Sequence, residues 1–157
     1  MPGKTIPYDR WLEVMEVVPW PVVDLLVVSG ERIWLIKREI SGKDQSYAGM
    51  WHLPGGFLLK NETFEECVRR ISVKELRWDI SGIPVTFSGL VLNNPHEVRG
   101  HLVHIPMVLD LSTIPLTETE NAHLFPITAL PAPMISHHIT IIEQCLKSVV
   151  RGRSVEM

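Results

Sequence analysis

The chain has 157 residues, 45% of them hydrophobic, with a mean hydropathy of +0.12 and a formal net charge of −3. That length suits a single domain with a sizeable core, and the composition excludes a disordered chain. The acidic balance, with no cluster of Lys or Arg, gives no electrostatic footprint for nucleic acid as a main partner.

Residues 8–18 read as a short amphipathic helix with Trp11, Val14, Met15 and Val18 on one side, ended by Pro19 and Pro21. The apolar stretch from Val17 to Ser29 is broken by those prolines and by Asp24, and it is too short to span a bilayer, so no membrane partner is expected. No signal peptide is visible. Cys67 and Cys145 lie in helical patterns among hydrophobic neighbours, as buried free thiols would, and a cytoplasmic location is expected. Val22 to Ser29 and Arg32 to Lys37 read as two strands joined by a hairpin turn at Gly30-Glu31. Residues 39–50 are mostly polar and read as a loop suited to the lip of a substrate site. Trp51 to Leu53 reads as a short strand leading into a Gly55-Gly56 turn, and a helix follows from Thr63 to about Arg77.

On a wheel of roughly 100° per residue, Phe64, Cys67, Val68, Ile71 and Trp78 share one face of that helix, and Glu75 falls within the same arc. A carboxylate on an apolar stripe is costly unless it is hydrogen-bonded, paired or bound to a cation. Either Glu75 escapes to solvent at the helix edge, or it serves a metal or phosphate site. The Gly-Gly segment favours the second reading, because glycine lets backbone carbonyls approach a ligand closely. Glu62, Glu66 and Arg70 form a separate ridge on which Arg70 can pair with Glu66.

Strands are expected at Val85–Leu92 and His101–Leu111, with Asn93-Asn94-Pro95 and Gly100 in the loop between them. Residues 112–121 are largely polar, Ala122–Ile127 fits another strand, and Ile139–Val150 fits a closing helix with the stripe Ile139, Ile142, Cys145 and Leu146. Residues 151–157 read as a frayed tail. The seven histidines are scattered without metal-ligand spacing, and each alone suits a structural or surface role. Trp20, Trp34 and Trp51 read as core.

Gly56, Glu62 and Arg70 carry a recognisable spacing: glycine, five residues, Glu, seven residues, Arg. The segment resembles the Nudix box, and the resemblance implies a single α/β domain, an α/β/α sandwich around a mixed sheet. The box departs from its usual form where Ile71 and Lys74 replace two metal-binding Glu residues and only Glu75 remains. That erosion, together with Asp24, Trp34 to Arg38, Tyr47 and Trp51 ahead of Leu53-Pro54-Gly55-Gly56, is similar to the GDP-mannose mannosyl hydrolase branch.

The resemblance to this branch implies a Mg²⁺-dependent hydrolase of a nucleotide sugar, with water attacking the anomeric carbon and a diphosphate leaving. It implies Gly55, Glu75 and Glu120 at the metal, Arg38, Arg70 and Glu120 in catalysis, and Asp24, Arg38 and Gly56 against the substrate. It also implies a homodimer. The branch carries Arg where Phe57 stands here, and a Gln-His pair where residues 116–121 have none, so Glu118, Glu120, His123 and His96 compete for the role of base. An ordinary Nudix hydrolase cutting a P–O bond, and a nucleotide-sugar binder without catalysis, are the alternatives.

Overall fold

The computed structural model describes residues 6–40, 45–112 and 116–155, with side chains as far as Leu146. Ser41 to Asp44 of the expected lip lie outside the described residues. Helix α1 (Tyr8–Val17) leads into a hairpin of β1 (Trp20–Ser29) and β2 (Arg32–Lys37) that turns at Gly30-Glu31, as the sequence suggests. Short strands β3 (Trp51–His52) and β4 (Gly55–Phe57) precede α2 (Phe64–Ile71), which continues as a π-helical turn over Ser72–Leu76. Strands β5 (Thr86–Phe87), β6 (Leu92–Glu97), β7 (Gly100–Asp110) and β8 (Ala122–Pro126) follow, and α3 (Ser136–Val155) closes the chain.

All eight strands form one mixed sheet with the central order β3-β2-β1-β7-β5. Strand β4 pairs with β1, β6 with β7 and β8 with β2. Among the described strands the parallel pairing is that of β1 with β7, from Trp20 opposite Leu102 to Val28 opposite Asp110. Strand β1 is covered on both faces, which is why it reads as a nearly unbroken apolar run. Val23, Leu25 and Val27 pack with Cys67, Val68 and Ile71 of α2, whereas Leu26 packs with Ile141, Ile142 and Cys145 of α3. Strand parity therefore sorts the core into two layers, one under each helix. This is the α/β/α sandwich that the box implies. Neither cysteine forms a disulfide, and both are buried.

Several local readings are corrected. Gly55-Gly56 is not a turn but part of β4, paired with Val23 and Asp24 of β1. A Cβ at Gly55 would stand 3.0 Å from the Val23 carbonyl oxygen and 3.1 Å from Asp24 Oδ1, so glycine is required there by closeness. Asn93-Asn94-Pro95 lies within β6 rather than in a loop, because β7 pairs with it around a register shift. Helix α3 begins at Ser136 and runs through the expected tail to Val155.

The helix after the glycines begins as foreseen. Thr63 caps it, its hydroxyl accepting from the Glu66 amide while Glu66 accepts from the Thr63 amide. Glu66 is thereby occupied, and Arg70 pairs with Glu62 instead, at 2.7 Å. The expected apolar stripe then fails at both ends, since Phe64 is 40% exposed and Trp78 is 37% exposed. The π turn causes the second of these failures. It widens the spacing after Ile71, so Ser72 and Leu76 are the next buried residues. Ser72 Oγ donates to the Val68 carbonyl at 2.7 Å, and Glu75 is displaced from the core stripe. The helix ends at Arg77, a non-glycine residue at φ +55°.

Candidate active site

Two adjoining clefts, of about 560 and 660 Å³, open beside β4 and the π turn, and both are lined by Arg38, His52, Lys74 and Glu75. Volumes of this order suit a nucleotide-sized ligand. The first cleft adds Asp24, Gly55, Gly56, Phe57, Arg70, Arg99, His104 and His138. Its charged lining sets Arg38, Arg70, Lys74 and Arg99 against Asp24 and Glu75, which suits an anionic ligand.

Glu75 is half-buried, and desolvation raises its pKa above the ordinary carboxylate range, against the opposing pull of Lys74, Arg38 and Arg77. A desolvated carboxylate beside the carbonyl-bearing edge of β4 is suited to a hard cation. Nothing else on this helix assists it. Ile71 is 1% exposed and packs on Gly56, so the position of the first lost ligand lies in the core. Lys74 lines the cleft itself.

Arg70 serves the backbone as much as the cleft. Its Nε and Nη2 donate to Glu62 at 2.7 and 2.9 Å, and Nη2 also donates to the Phe57 carbonyl at 2.8 Å. Glu62 in turn accepts from the Leu59 amide at 3.0 Å, and the Arg70 hydrogen bonds hold its carboxyl below the usual range. The Glu62 side chain is 1% exposed, so this pair clamps the segment between β4 and α2. Phe57 packs against Trp20 and Trp11, with ring centroids 4.9 and 5.7 Å away, and joins α1 to the cleft wall.

The structure brings Asp24, Arg38, Gly55, Gly56, Arg70 and Glu75 together around the first cleft. It does not bring Glu120 there. Glu120 is exposed, and its neighbours Thr119 and Asn121 line the second cleft instead. Glu118 accepts from the Leu124 amide at 2.9 Å and faces Arg32 at 3.9 Å. His123 lies on β8 against the Trp51 ring, and His96 is exposed on β6.

The histidines are the main correction. His52, His104 and His138 all line the first cleft, and His137 packs on His104 and His138 at centroid distances of 4.9 and 4.7 Å. Although adjacent, His137 and His138 do not diverge. Asp24 is 1% exposed, and its Oδ2 accepts from His104 Nδ1 at 2.7 Å. His138 Nδ1 accepts from the Leu53 amide at 3.0 Å, and its Nε2 stands 3.7 Å from Asp24 Oδ1. Burial pushes His52 and His137 down to about 4 and His138 further below its ordinary value, so these rings are neutral at pH 7. One signal could have found this group. Asp24 is the lone polar residue in the run Val22–Val28, and His104 stands alone in the apolar stretch from Leu102 to Leu109.

The family model of the NUDIX domain matches residues 18–145. The chain is 29% identical to the ADP-ribose pyrophosphatase of Methanocaldococcus jannaschii over 141 residues, 87% of this chain and 76% of the relative. It is 32% identical over 80 residues to the low-salt glycan biosynthesis protein Agl8 of Haloferax volcanii, covering 51% of this chain and 49% of that protein. Among solved structures, a mutT/nudix family protein from Listeria innocua superposes with a TM-score of 0.70 at 22% identity, over 88% of this chain and 99% of that one. The NUDIX domain of Shewanella oneidensis NrtR complexed with ADP ribose gives 0.66 at 18% identity, over 92% of this chain and 99% of the other. Among the described residues, no helix is long and apolar enough to cross a membrane. With most of its length matched by the family model and its fold shared by these structures, the chain belongs to the Nudix hydrolase family.

Proposed function

We propose that this protein hydrolyses a nucleotide sugar, and that water attacks the anomeric carbon so that a nucleoside diphosphate leaves. The observation that carries the reading is the isolation of Glu75: Ile71 is buried in the core, and Lys74 lines the cleft beside the one carboxylate that remains. Attack at phosphorus draws on several cations to neutralise the phosphates. Departure of a diphosphate asks for less, and one Mg²⁺ bound by Glu75 and the Gly55 carbonyl, with Arg38 as a fixed guanidinium, supports it. On this reading the sugar hydroxyls are assigned to Asp24, which lines the first cleft, and Arg70 holds the carbonyl edge of β4 in position. His52 lines both clefts and is a neutral acceptor at pH 7, so on this reading it is assigned the role of base in place of Glu120.

A second reading rests on the Methanocaldococcus relative, whose name describes pyrophosphate cleavage of ADP-ribose, itself a nucleoside diphosphate carrying a sugar. Turnover in ¹⁸O-labelled water of GDP-mannose and related sugars joined to the diphosphate through the anomeric carbon separates the two, whereas ADP-ribose, joined through C5, is a substrate for the second reading alone. Label in the free sugar supports attack at carbon. Label in a phosphomonoester refutes it and leaves the pyrophosphatase reading. Thermal stabilisation by these ligands without turnover of any of them would instead mark a binder.

A further inference from the structure

Where β1, β7 and α3 meet, on the sheet face opposite α2, three imidazoles crowd together. His104, His137 and His138 offer nitrogens that all lie within 4.8 Å of one another. Two nitrogens there, His104 Nε2 and His137 Nε2, are buried and have no hydrogen-bond partner among the described residues. Leaving a buried polar atom unpaired costs about 1–3 kcal/mol, so two such atoms in one cluster call for an occupant.

We propose that this cluster is a site for a divalent transition-metal ion of the Zn²⁺ type, bound by His104 Nε2 and His137 Nε2 and separate from the Mg²⁺ position at Glu75. Imidazole nitrogen suits such ions, whereas Mg²⁺ prefers oxygen. His104 is prepared for the role. Its Nδ1–H donates to Asp24 at 2.7 Å, which fixes the tautomer that leaves the Nε2 lone pair available and makes the ring a stronger ligand. The side chain is fully buried. His138 has a different task. Its Nδ1 accepts the Leu53 amide hydrogen, so the neutral ring carries its own hydrogen on Nε2, towards Asp24 Oδ1 at 3.7 Å. It steadies the carboxylate rather than supplying a lone pair. Two protein ligands leave coordination positions open, and the cleft lined by Asp24, His104 and His138 can fill them with water.

The test strips transition metals from the full chain, holds it in excess Mg²⁺ to occupy the Glu75 position, titrates it with Co²⁺, reads the visible d–d absorption, and then displaces the ion with Zn²⁺. One ion per chain is expected. His137 is only partly buried, so His137→Ala should fold and should lose the ion. Asp24→Asn should weaken binding about 10–100-fold, as loss of an orienting carboxylate does. Glu75→Gln should bind Co²⁺ like the wild type. Absence of binding to the wild type would mean that only water lies between the rings and would overturn the site. Binding that survives His137→Ala, or that disappears in Glu75→Gln, would overturn it equally.

Discussion

Replacing Arg70 with Met removes the charge and keeps most of the side chain's volume. It leaves four acceptor contacts unmade: two on Glu62, at 2.7 and 2.9 Å, one on the Phe57 carbonyl, at 2.8 Å, and a longer one on Cys67 Sγ, at 3.5 Å. The partner decides the magnitude. Glu62 is 1% exposed and Arg70 36%, so the variant strands a buried carboxylate while the lost guanidinium was itself partly hydrated. Breaking a fully buried pair costs about 3–5 kcal/mol and an exposed one at most about 1, so about 2–3 kcal/mol is expected. For a domain of this size that lowers Tm by roughly 4–12 °C, at about 2–4 °C per kcal/mol. Urea denaturation of the wild type, Arg70→Met, Glu62→Gln and the double variant gives the coupling, which should exceed about 1 kcal/mol. The pH dependence follows from the lowered Glu62 pKa. Stability from this group is fully present above the carboxylate's unfolded value and is lost as pH falls through its folded one, and Arg70→Met should flatten that limb. A loss in Arg70→Met below about 0.5 kcal/mol, with an unchanged acid limb, would show that the pair is a surface contact and that the clamp does not exist.

Glu75→Gln should abolish Mg²⁺-dependent turnover, yet leave Tm at neutral pH equal to or above that of the wild type. The raised Glu75 pKa favours folding at low pH and loses that contribution as pH rises through the folded value; unchanged turnover would remove Glu75 from the metal site. Gly55→Ala must push against the Val23 carbonyl at 3.0 Å and Asp24 Oδ1 at 3.1 Å, so it should cost about 1–3 kcal/mol in urea denaturation; a neutral effect would contradict the close packing of β4 on β1. Arg77→Gly should add about 0.5–1 kcal/mol, since a left-handed backbone costs a non-glycine residue about 1–2 kcal/mol and glycine returns part of that gain as unfolded-state entropy. A drop in stability would mean that the Arg77 side chain contributes more than its backbone costs.

The parts of the fold legible in the sequence are those set by near neighbours. The β1–β2 hairpin shows in its apolar runs around Gly30-Glu31, and the α2 start shows in Thr63 and Glu66, three residues apart. The spacing of Gly56, Glu62 and Arg70 shows the site's glycine edge and clamp, although the pairing of Arg70 with Glu62 across eight residues requires the chain to fold back through Leu59. The π turn hides from a regular wheel, because every residue after Ile71 is placed on the wrong side by an assumed α-helical phase. Strand β6 hides because its Asn-Asn-Pro resembles a turn and is held by β7 alone. The histidine group was the least legible. It joins residues 80 positions apart through the parallel pairing of β1 with β7, and no local pattern reports that pairing.

The stretch from Leu53 to Phe57 is tied at its two ends by side chains from opposite layers. His138 of α3 accepts the Leu53 amide hydrogen at one end, and Arg70 of α2 donates to the Phe57 carbonyl at the other. Between them Gly55 and Gly56 run as a strand on β1, so the segment behaves as a stiff plank supported on two independent piers. Displacing either pier tilts the plank about the other and re-aims the Gly55 carbonyl, even when the altered residue never reaches the ligand. The backbone geometry of the glycine edge therefore depends on the packing of both helices at once, and substitutions deep under α3 should be read there as readily as substitutions in α2.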